Sequence, residues 1–348
     1  MRHPLNLLRF LTIFIIVLHG SGFYFNPLAI ERVRWKLQIV FEGTEGTVKD
    51  LIERIKLISE GKLKLRYYGV NTLVPGSELH SAVSEGQVDA GFTTPGYLAR
   101  KIPGAIFFGG VPFGPRLIEH NAWMQHGGGE KLKNRIYNKI GLISLQCGTE
   151  PPESGGWFNK RHKSIEDLNG EKMRIWGFGG KVLMKFGVTP VALAPRSIIP
   201  ALKKGEIGSA EFSYPQVDLF FGLNKVFRYN YFPSWFQQLV VHELILNKKQ
   251  WDSLSVSNKL IFRTSCDSSM LSINVDASAK QPPAMIQLQK EGTKFMRWQD
   301  KDLEKLHKAW HEVAEEESAK DPLFAEVYKS YKSFRDQYAI WGDRAYLK

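Results

Sequence analysis

Alternating apolar and polar residues recur along the first half of the chain, and each such run is followed by a segment with apolar residues at helical spacing. Residues 45–59 show the helical pattern best, with Val48, Leu51, Ile55 and Ile58 on one stripe. The predicted elements here are strands at 35–41, 63–68 and 87–92 and helices at 45–59 and 77–85. Strands that alternate with helices indicate an α/β sheet with right-handed crossovers.

A second set of alternating segments follows with unrelated sequence. It predicts strands at 141–146, 172–176, 188–192 and 207–211 and helices at 164–168, 181–186 and 197–203. We therefore expect two α/β lobes, residues 34–145 and 146–246, with a strand at 239–246 crossing back between them. The pattern after residue 247 is almost all helical, with predicted helices at 255–289, 300–317 and 323–338. The segment 247–348 is expected to brace the lobes and to offer a dimer surface.

The N-terminus has the pattern of a secretory signal. Arg2 and Arg9 precede an unbroken apolar run at 10–18, and small residues follow at 20–22. The run is shorter than the roughly 20 apolar residues that a spanning helix needs. We predict a signal peptide at 1–22 and a periplasmic protein, so cytosolic cofactors such as ATP and NAD are not expected. An uncleaved anchor and a buried N-terminal helix or strand are the alternatives.

Composition restricts the class of partner. The 348 residues carry a net charge of +12, which favours anionic partners. Basic residues are spread along the chain, without a basic block interleaved with aromatics and without a zinc-finger signature, so nucleic-acid binding is not expected. Cys147 and Cys266 can form one disulfide or remain two small buried residues, and we expect the second.

Catalytic motifs are missing or incomplete. His242-Glu243 lacks the second histidine of a zinc-peptidase motif. His307 and His311 have a usable metal spacing, but the charged residues around them favour a solvated helix face. A Gly-x-Ser-x-Gly elbow is absent, and two glycine-rich stretches fit no phosphate-binding motif: 127–129 and 177–180.

One constellation remains. Arg174 lies inside an apolar strand just before a glycine-rich turn, where an unpaired charge is costly to bury. Its planar guanidinium suits a carboxylate, which is either that of a ligand or that of a protein side chain. Glu211 ends another predicted strand, the position at which ligands collect in α/β sheets. The aromatic loop 235–237 follows, and its alternative role is core packing.

At these residues the chain resembles the periplasmic solute-binding proteins of TRAP transporters, and most closely the branch that binds α-keto acids and related monocarboxylates. The resemblance covers residues 109–251 and rests on matching segments in matching order: 109–115 (GGVPFGP), 122–129 (AWMQHGGG), 155–160 (GGWFNK), 172–183 (KMRIWGFGGKVL), 188–195 (VTPVALAP), 199–207 (IPALKKGEI), 210–226 (AEFSYPQVDLFFGLNKV) and 231–235 (YFPSW). It implies a two-lobed, type II-like periplasmic binding fold with a long connecting helix and a C-terminal helical segment that often dimerises.

The resemblance also implies a function and a site. The protein would bind a small organic-acid anion, a 2-oxo or 2-hydroxy monocarboxylate, and deliver it to TRAP membrane subunits. The implied substrate-binding residues are Arg174, Glu153, Phe212 and Tyr97, and the implied metal-binding residues are Glu211, Gln237, Glu153 and Phe212.

Three of these positions depart from the branch. Phe212 replaces the usual Trp, Glu153 replaces the usual Gln, and Gln237 replaces the usual Glu. If positions 153 and 237 face one cation, the exchange preserves two negative charges, and oxygen ligands of this kind suit Na⁺ or Ca²⁺. The alternative is that the exchange abolishes the cation site and the substrate binds through Arg174 alone.

Two rival classes stay open at this level. An enzyme on a similar frame would need a nucleophile or base beside Arg174, and the neighbouring sequence offers only Glu153 and Glu211, so catalysis is not expected. The second rival class is a receptor that does not serve transport and instead signals to a partner protein that its ligand is bound. The residues do not discriminate among pyruvate, longer oxo acids and lactate.

Overall fold

Two mixed β-sheets organise the chain. The computed structural model describes residues 29–345, so the predicted signal peptide at 1–22 lies outside the described residues. The strands are β1 (Val33–Ile39), β2 (Leu63–Tyr68), β3 (Ala90–Thr93), β4 (Leu142–Glu150), β5 (Trp157–Phe158), β6 (Lys172–Arg174), β7 (Thr189–Val191), β8 (Ser209–Ala210), β9 (Tyr229–Phe232), β10 (Val240–Asn247) and β11 (Lys294–Arg297). Their order is β2-β1-β3-β10-β4 in the first sheet and β11-β9-β5-β8-β6-β7 in the second.

Helices cover these sheets and brace them. They are α1 (Glu45–Ile58), α2 (Leu79–Ser84), α3 (Pro95–Leu98), α4 (Leu117–His126), α5 (Gly129–Lys139), α6 (Gly177–Met184), α7 (Ile198–Lys203), α8 (Pro215–Phe221), α9 (Lys248–Asp252), α10 (Val256–Lys290), α11 (Asp300–Lys320) and α12 (Pro322–Ala345). Short 3-10 turns lie at Gly76–Glu78, Pro103–Phe108, Ile165–Leu168, Pro195–Ser197 and Leu223–Lys225. Within residues 29–345, none of the helices combines the length and the apolar character needed to cross a membrane.

The first sheet forms as its pattern predicts. In β1 the side chains of Val33, Trp35 and Leu37 are buried and the residues between them are exposed, and the strand pairs in parallel with β2 and β3. Every residue of β10 is buried, and β10 lies antiparallel between β3 and β4. The predicted crossing-back strand is confirmed, and it returns the chain to the first sheet.

The second sheet brings two short strands into register. β6 pairs in parallel with β7 and β8, and Arg174 lies beside Ala210. Because parallel strands end at the same edge of a sheet, this register places Glu211 next to Arg174. β11 joins the other edge by pairing with β9, so the mostly helical C-terminal segment also supplies a strand that the periodicity did not reveal.

The long connecting helix is confirmed. α10 runs unbroken for 35 residues and contains Pro282 and Pro283 in its last third. It packs on β4 and α1 of the first lobe and on α8 of the second. α11 packs on α6, while α12 packs on α11 and on α4 of the first lobe. The C-terminal helices therefore contact both lobes.

A disulfide corrects one expectation. We expected Cys147 and Cys266 to be two unbonded buried residues, and this was wrong, because they are bonded to each other. Cys147 lies in β4 and Cys266 in α10, and α10 packs directly on β4. The bond joins positions 119 residues apart and attaches the long helix to the first sheet. The sequence does not reveal that the two cysteines are close, because only the packing of α10 on β4 brings them together.

Candidate functional site

Arg174 is held at the end of β6 by bonds from its own lobe. Its Nη1 donates to Glu211 Oε2 at 2.9 Å and to the Glu211 carbonyl at 2.5 Å, and its Nε donates to the Leu193 carbonyl at 3.2 Å. The side chain is only 7% exposed. None of these bonds uses the second terminal nitrogen of the guanidinium, Nη2. Arg174 thus has a protein carboxylate as partner, and that carboxylate is the predicted cation ligand itself.

Aromatic rings flank this guanidinium. Its carbon lies 5.3 Å from the ring centre of Phe212 and 5.9 Å from that of Trp176. Trp176 Nε1 donates to the same Leu193 carbonyl that Arg174 contacts, and Phe221 packs edge-on against Phe212 at 5.0 Å. The rings position the guanidinium and limit the water around it, which strengthens its interaction with an anion.

Glu153 supplies a second buried carboxylate. Its Oε2 is buried and has no hydrogen-bond partner among residues 29–345. Burial raises the pKa of Glu153 well above its usual value, and the charge of Glu211 raises it further. Burial also raises the pKa of Glu211 to about 7, although Arg174 acts in the opposite direction. A buried carboxylate that has an unpaired oxygen, and whose pKa a second buried carboxylate raises further, fits a bound cation that would neutralise both groups.

Backbone bonds place the other predicted residues beside Glu153. The Glu153 N–H points to the Gln237 carbonyl at 3.4 Å, and the Ser154 N–H donates to the Ser213 carbonyl at 2.9 Å, next to Phe212. The structure therefore brings together Glu153, Arg174, the adjacent pair Glu211 and Phe212, and Gln237, which come from four separate segments of the sequence.

Gly110 lies directly against the chain segment that carries Gln237 and Leu239. A Cβ on Gly110 would lie 2.3 Å from the Leu239 carbonyl and 3.3 Å from Gln237 Nε2, and its φ of +149° disfavours other residues. Gly110 thus allows the chain leaving the second lobe to pass close to the first.

Sequence reasoning missed two further acids. Asp218 is buried in α8 and accepts from Trp157 Nε1 at 2.6 Å, and burial raises its pKa well above the usual value. Glu150 accepts from the Tyr214 hydroxyl at 3.2 Å and lies 2.9 Å from His242 Nε2. The charges of Asp218 and Glu150 both raise the pKa of Glu153. A lone Asp inside the apolar stretch PQVDLFF was the available signal for Asp218.

The first lobe closes over this site. Tyr97, in α3, is half-buried; burial raises its pKa, and the positive charges of Arg100 and Arg174 oppose that rise. The Arg100 guanidinium lies 5.8 Å from the Trp176 ring centre. At the rim, Arg196 Nη2 lies 2.9 Å from Glu42 Oε2. These contacts join residues of the first lobe to residues of the second.

Oxygen atoms other than carboxylates are needed for a cation here. Between residues 29 and 345, no three His, Cys, Asp or Glu side chains are grouped so that they alone could hold a metal ion. The expected set includes the Gln237 amide and Phe212, whose main-chain carbonyl is an oxygen donor, so it does not depend on such a group. The unpaired oxygen of Glu153 is the feature that fits a cation.

The fold and the site define a class. Two α/β lobes joined by a long helix, with a buried arginine at the carboxyl ends of parallel strands and inter-lobe contacts above it, are the architecture of periplasmic-type solute-binding proteins. A sequence profile narrows the class to a family. The profile described as bacterial extracellular solute-binding protein, family 7 (DctP), matches residues 42–321. The chain belongs to this family.

Individual relatives agree with that assignment. The chain is 31% identical over 316 residues to the monocarboxylate 2-oxoacid-binding periplasmic protein of a Nostoc species, covering 90% of this chain and 87% of that one. A TRAP solute-binding protein from Bordetella bronchiseptica, crystallised as a dimer with calcium and picolinate, shares 32% identity and a TM-score of 0.86, covering 90% and 95% of the two chains. One from Pseudoalteromonas atlantica, with bound sodium and pyruvate, shares 27% identity and a TM-score of 0.84, covering 90% and 97%. The resemblance and the two-lobed fold predicted from sequence are confirmed.

Proposed function

We propose that this chain is the extracytoplasmic receptor of a TRAP transporter, that it binds a 2-oxo or 2-hydroxy monocarboxylate, and that Arg174 and a bridging Na⁺ or Ca²⁺ hold the ligand. Family membership and the pyruvate and picolinate complexes of relatives support the ligand class. The observation that carries the assignment to these residues is the unpartnered Glu153 oxygen in the same buried site as the Arg174 guanidinium.

In this proposal the positively charged residue binds the ligand anion, and the oxygen-bearing residues bind the cation. The guanidinium of Arg174 pairs with the ligand carboxylate through Nη2. Oxygens for the cation would come from Glu153, Glu211, Gln237 and the main-chain carbonyl of Phe212. A bound cation would neutralise the two carboxylates and would supply electrostatic attraction for an oxygen of the ligand. Phe212 and Trp176 enclose the apolar part of the ligand.

Closure completes the complex. Tyr97 covers the site from the first lobe, and the contacts of Arg100 with Trp176 and of Glu42 with Arg196 hold the lobes together. Water removal strengthens each electrostatic contact inside. The closed form is the state recognised by the membrane subunits, which take up the ligand. Residues 1–22 direct export, and the receptor releases its ligand chemically unchanged.

Calorimetric titration of the exported protein with pyruvate and lactate, in Ca²⁺, in Na⁺ and in chelator, tests the assignment. Arg174→Lys keeps the charge but loses the planar donor pair, so we expect affinity to fall by about tenfold or more. Arg161→Lys, at an exposed position of the same lobe, is the matched control and should bind as the wild type does. Unchanged affinity in Arg174→Lys would refute the role of Arg174.

A charge swap tests the cation ligands. Glu153→Gln leaves one carboxylate and should weaken the dependence of ligand affinity on Ca²⁺. Adding Gln237→Glu restores the second charge at the neighbouring position, so the double variant should regain that dependence. A double variant no better than Glu153→Gln would place the two side chains on different sites.

A further inference from the structure

We propose that His307 and His311 form a two-histidine site for a borderline divalent transition-metal ion, of the class Zn²⁺, Cu²⁺ or Ni²⁺, separate from the carboxylate-binding cleft. The two residues lie one turn apart on α11, and their Nε2 atoms are 3.1 Å from each other. The sequence pattern around them favoured a solvated face, and the structure places the two rings in direct contact, with their centres 4.5 Å apart.

The nitrogen separation matches that of neighbouring ligands on one ion. With metal–nitrogen bonds of about 2.0–2.1 Å, a 3.1 Å separation corresponds to a nitrogen–metal–nitrogen angle of about 95–102°. This angle lies between those of octahedral and tetrahedral sites, so either coordination is accessible. Imidazole nitrogens favour Zn²⁺, Cu²⁺ and Ni²⁺ over the hard ions expected in the cleft.

The surroundings hold the rings in place. Nδ1 of His311 lies 3.0 Å from the Tyr328 hydroxyl of α12. A metal on Nε2 requires the proton to be on Nδ1, and Tyr328 is positioned to accept it, as outer-sphere partners of metal-bound histidines do. The His307 ring packs 4.7 Å from the ring of Phe113, whose carbonyl accepts from Arg335. Both rings are therefore oriented by residues from other elements.

The exposure of the two rings fits an open site whose coordination is completed by water. His307 is exposed and His311 half-buried, so solvent can fill the other coordination positions. Glu315 lies one further turn along the same face as His311 and can partly offset the positive charges of Lys332 and Arg335.

Metal titration of the tag-free exported protein tests the site. Calorimetry with Zn²⁺, Ni²⁺ and Cu²⁺ should show one ion bound per chain at this site, and the Cu²⁺ form should show hyperfine coupling to two imidazole nitrogens. His307→Ala and His311→Ala should each abolish this binding event, while excess Ca²⁺ should not displace the ion. Tyr328→Phe should weaken it by about tenfold, since it removes the outer-sphere acceptor.

His126→Ala is the matched control, because His126 is exposed and lies at the end of α4, on another element. Its metal binding should equal that of the wild type. Metal binding that persists in both His307→Ala and His311→Ala, or that Ca²⁺ displaces, would overturn the proposal. His307 is exposed, so its replacement should leave folding intact, and the melting temperature of the metal-free variant, expected to equal that of the wild type, checks this.

Discussion

Nη1 of Arg174 lies 2.9 Å from Oε2 of Glu211, and both side chains are buried. The residue proposed to bind the substrate anion is therefore paired with a residue proposed to bind the cation. Within that proposal, a cation that draws on the Glu211 oxygens weakens this pair and leaves the guanidinium more available to the substrate. Cation and substrate would then favour each other's binding, because each occupies one half of an internal ion pair.

The ion pair predicts a coupling energy. Arg174→Gln or Glu211→Gln alone leaves a buried charge without its partner, which costs about 3–5 kcal/mol. The double variant should be more stable than additivity predicts, by about 1–3 kcal/mol in denaturant unfolding of the ligand-free protein. The exposed Glu53–Lys56 pair is the control, and its coupling should stay below about 0.5 kcal/mol. Additive effects at 174 and 211 would contradict the pairing.

The rim contact between the lobes predicts a small effect on affinity. Arg196→Ala removes the ion pair with Glu42, which is exposed, so the dissociation constant for pyruvate should rise by no more than about fivefold. The effect should disappear at about 1 M choline chloride, where screening acts within a few ångströms. Lys56→Ala, which breaks an exposed pair inside one lobe, should leave affinity unchanged. An equal loss in both variants would exclude a role in closure.

Gly110 predicts a steric cost. Gly110→Ala drives a Cβ against the Leu239 carbonyl, whereas Gly292→Ala has a similarly positive φ but open space around it. The first variant should lose about 1–3 kcal/mol more unfolding free energy than the second. It should also weaken ligand binding in Ca²⁺, because Gln237 is displaced. Equal stability of the two variants would show that the backbone at 110 relaxes without cost.

The disulfide predicts sensitivity to reductant. Replacing Cys147 and Cys266 together with Ala should lower the unfolding free energy by about 2–5 kcal/mol, because the bond restricts a long loop of the unfolded chain. Dithiothreitol should destabilise the wild type by a similar amount and leave the double variant unaffected. A reductant effect of equal size in both proteins would mean that it acts elsewhere.

A buried histidine predicts loss of stability in acid. Burial lowers the pKa of His120 to about 3, with Lys133 contributing, so the folded protein keeps this ring neutral while the unfolded chain protonates near pH 6.5. The stability that His120 contributes is complete above that value and falls by up to about 1.4 kcal/mol per pH unit as the pH drops towards 3. His120→Gln should lose less stability than the wild type between pH 6.5 and 4 in denaturant titrations. Equal losses of stability in His120→Gln and the wild type over this pH range would contradict the role of His120.

Much of the fold could be predicted locally. The stripe in α1, the alternation in β1 and the apolar run of β10 are each set by residues close in sequence, so their periodicity located them. Elements with weak or mixed patterns were missed, among them α4, α5, α8, β5 and β9. Two-residue strands such as β5 are too short for alternation to be visible and exist only because neighbouring strands pair with them.

The sequence by itself determined the family, the two-lobed fold and the selection of Arg174 as a candidate ligand-binding residue. A series of short matching segments and a charged residue inside an apolar strand can both be recognised from residues close in sequence. Only the tertiary structure decided that Arg174 pairs with Glu211, that Cys147 meets Cys266, and that Glu153 has an unpaired oxygen. Each of these depends on strand register or on the docking of α10, which bring together positions tens to more than a hundred residues apart. The local pattern of residues carries no information about contacts between positions so far apart in sequence. The packing of the buried surfaces determines them.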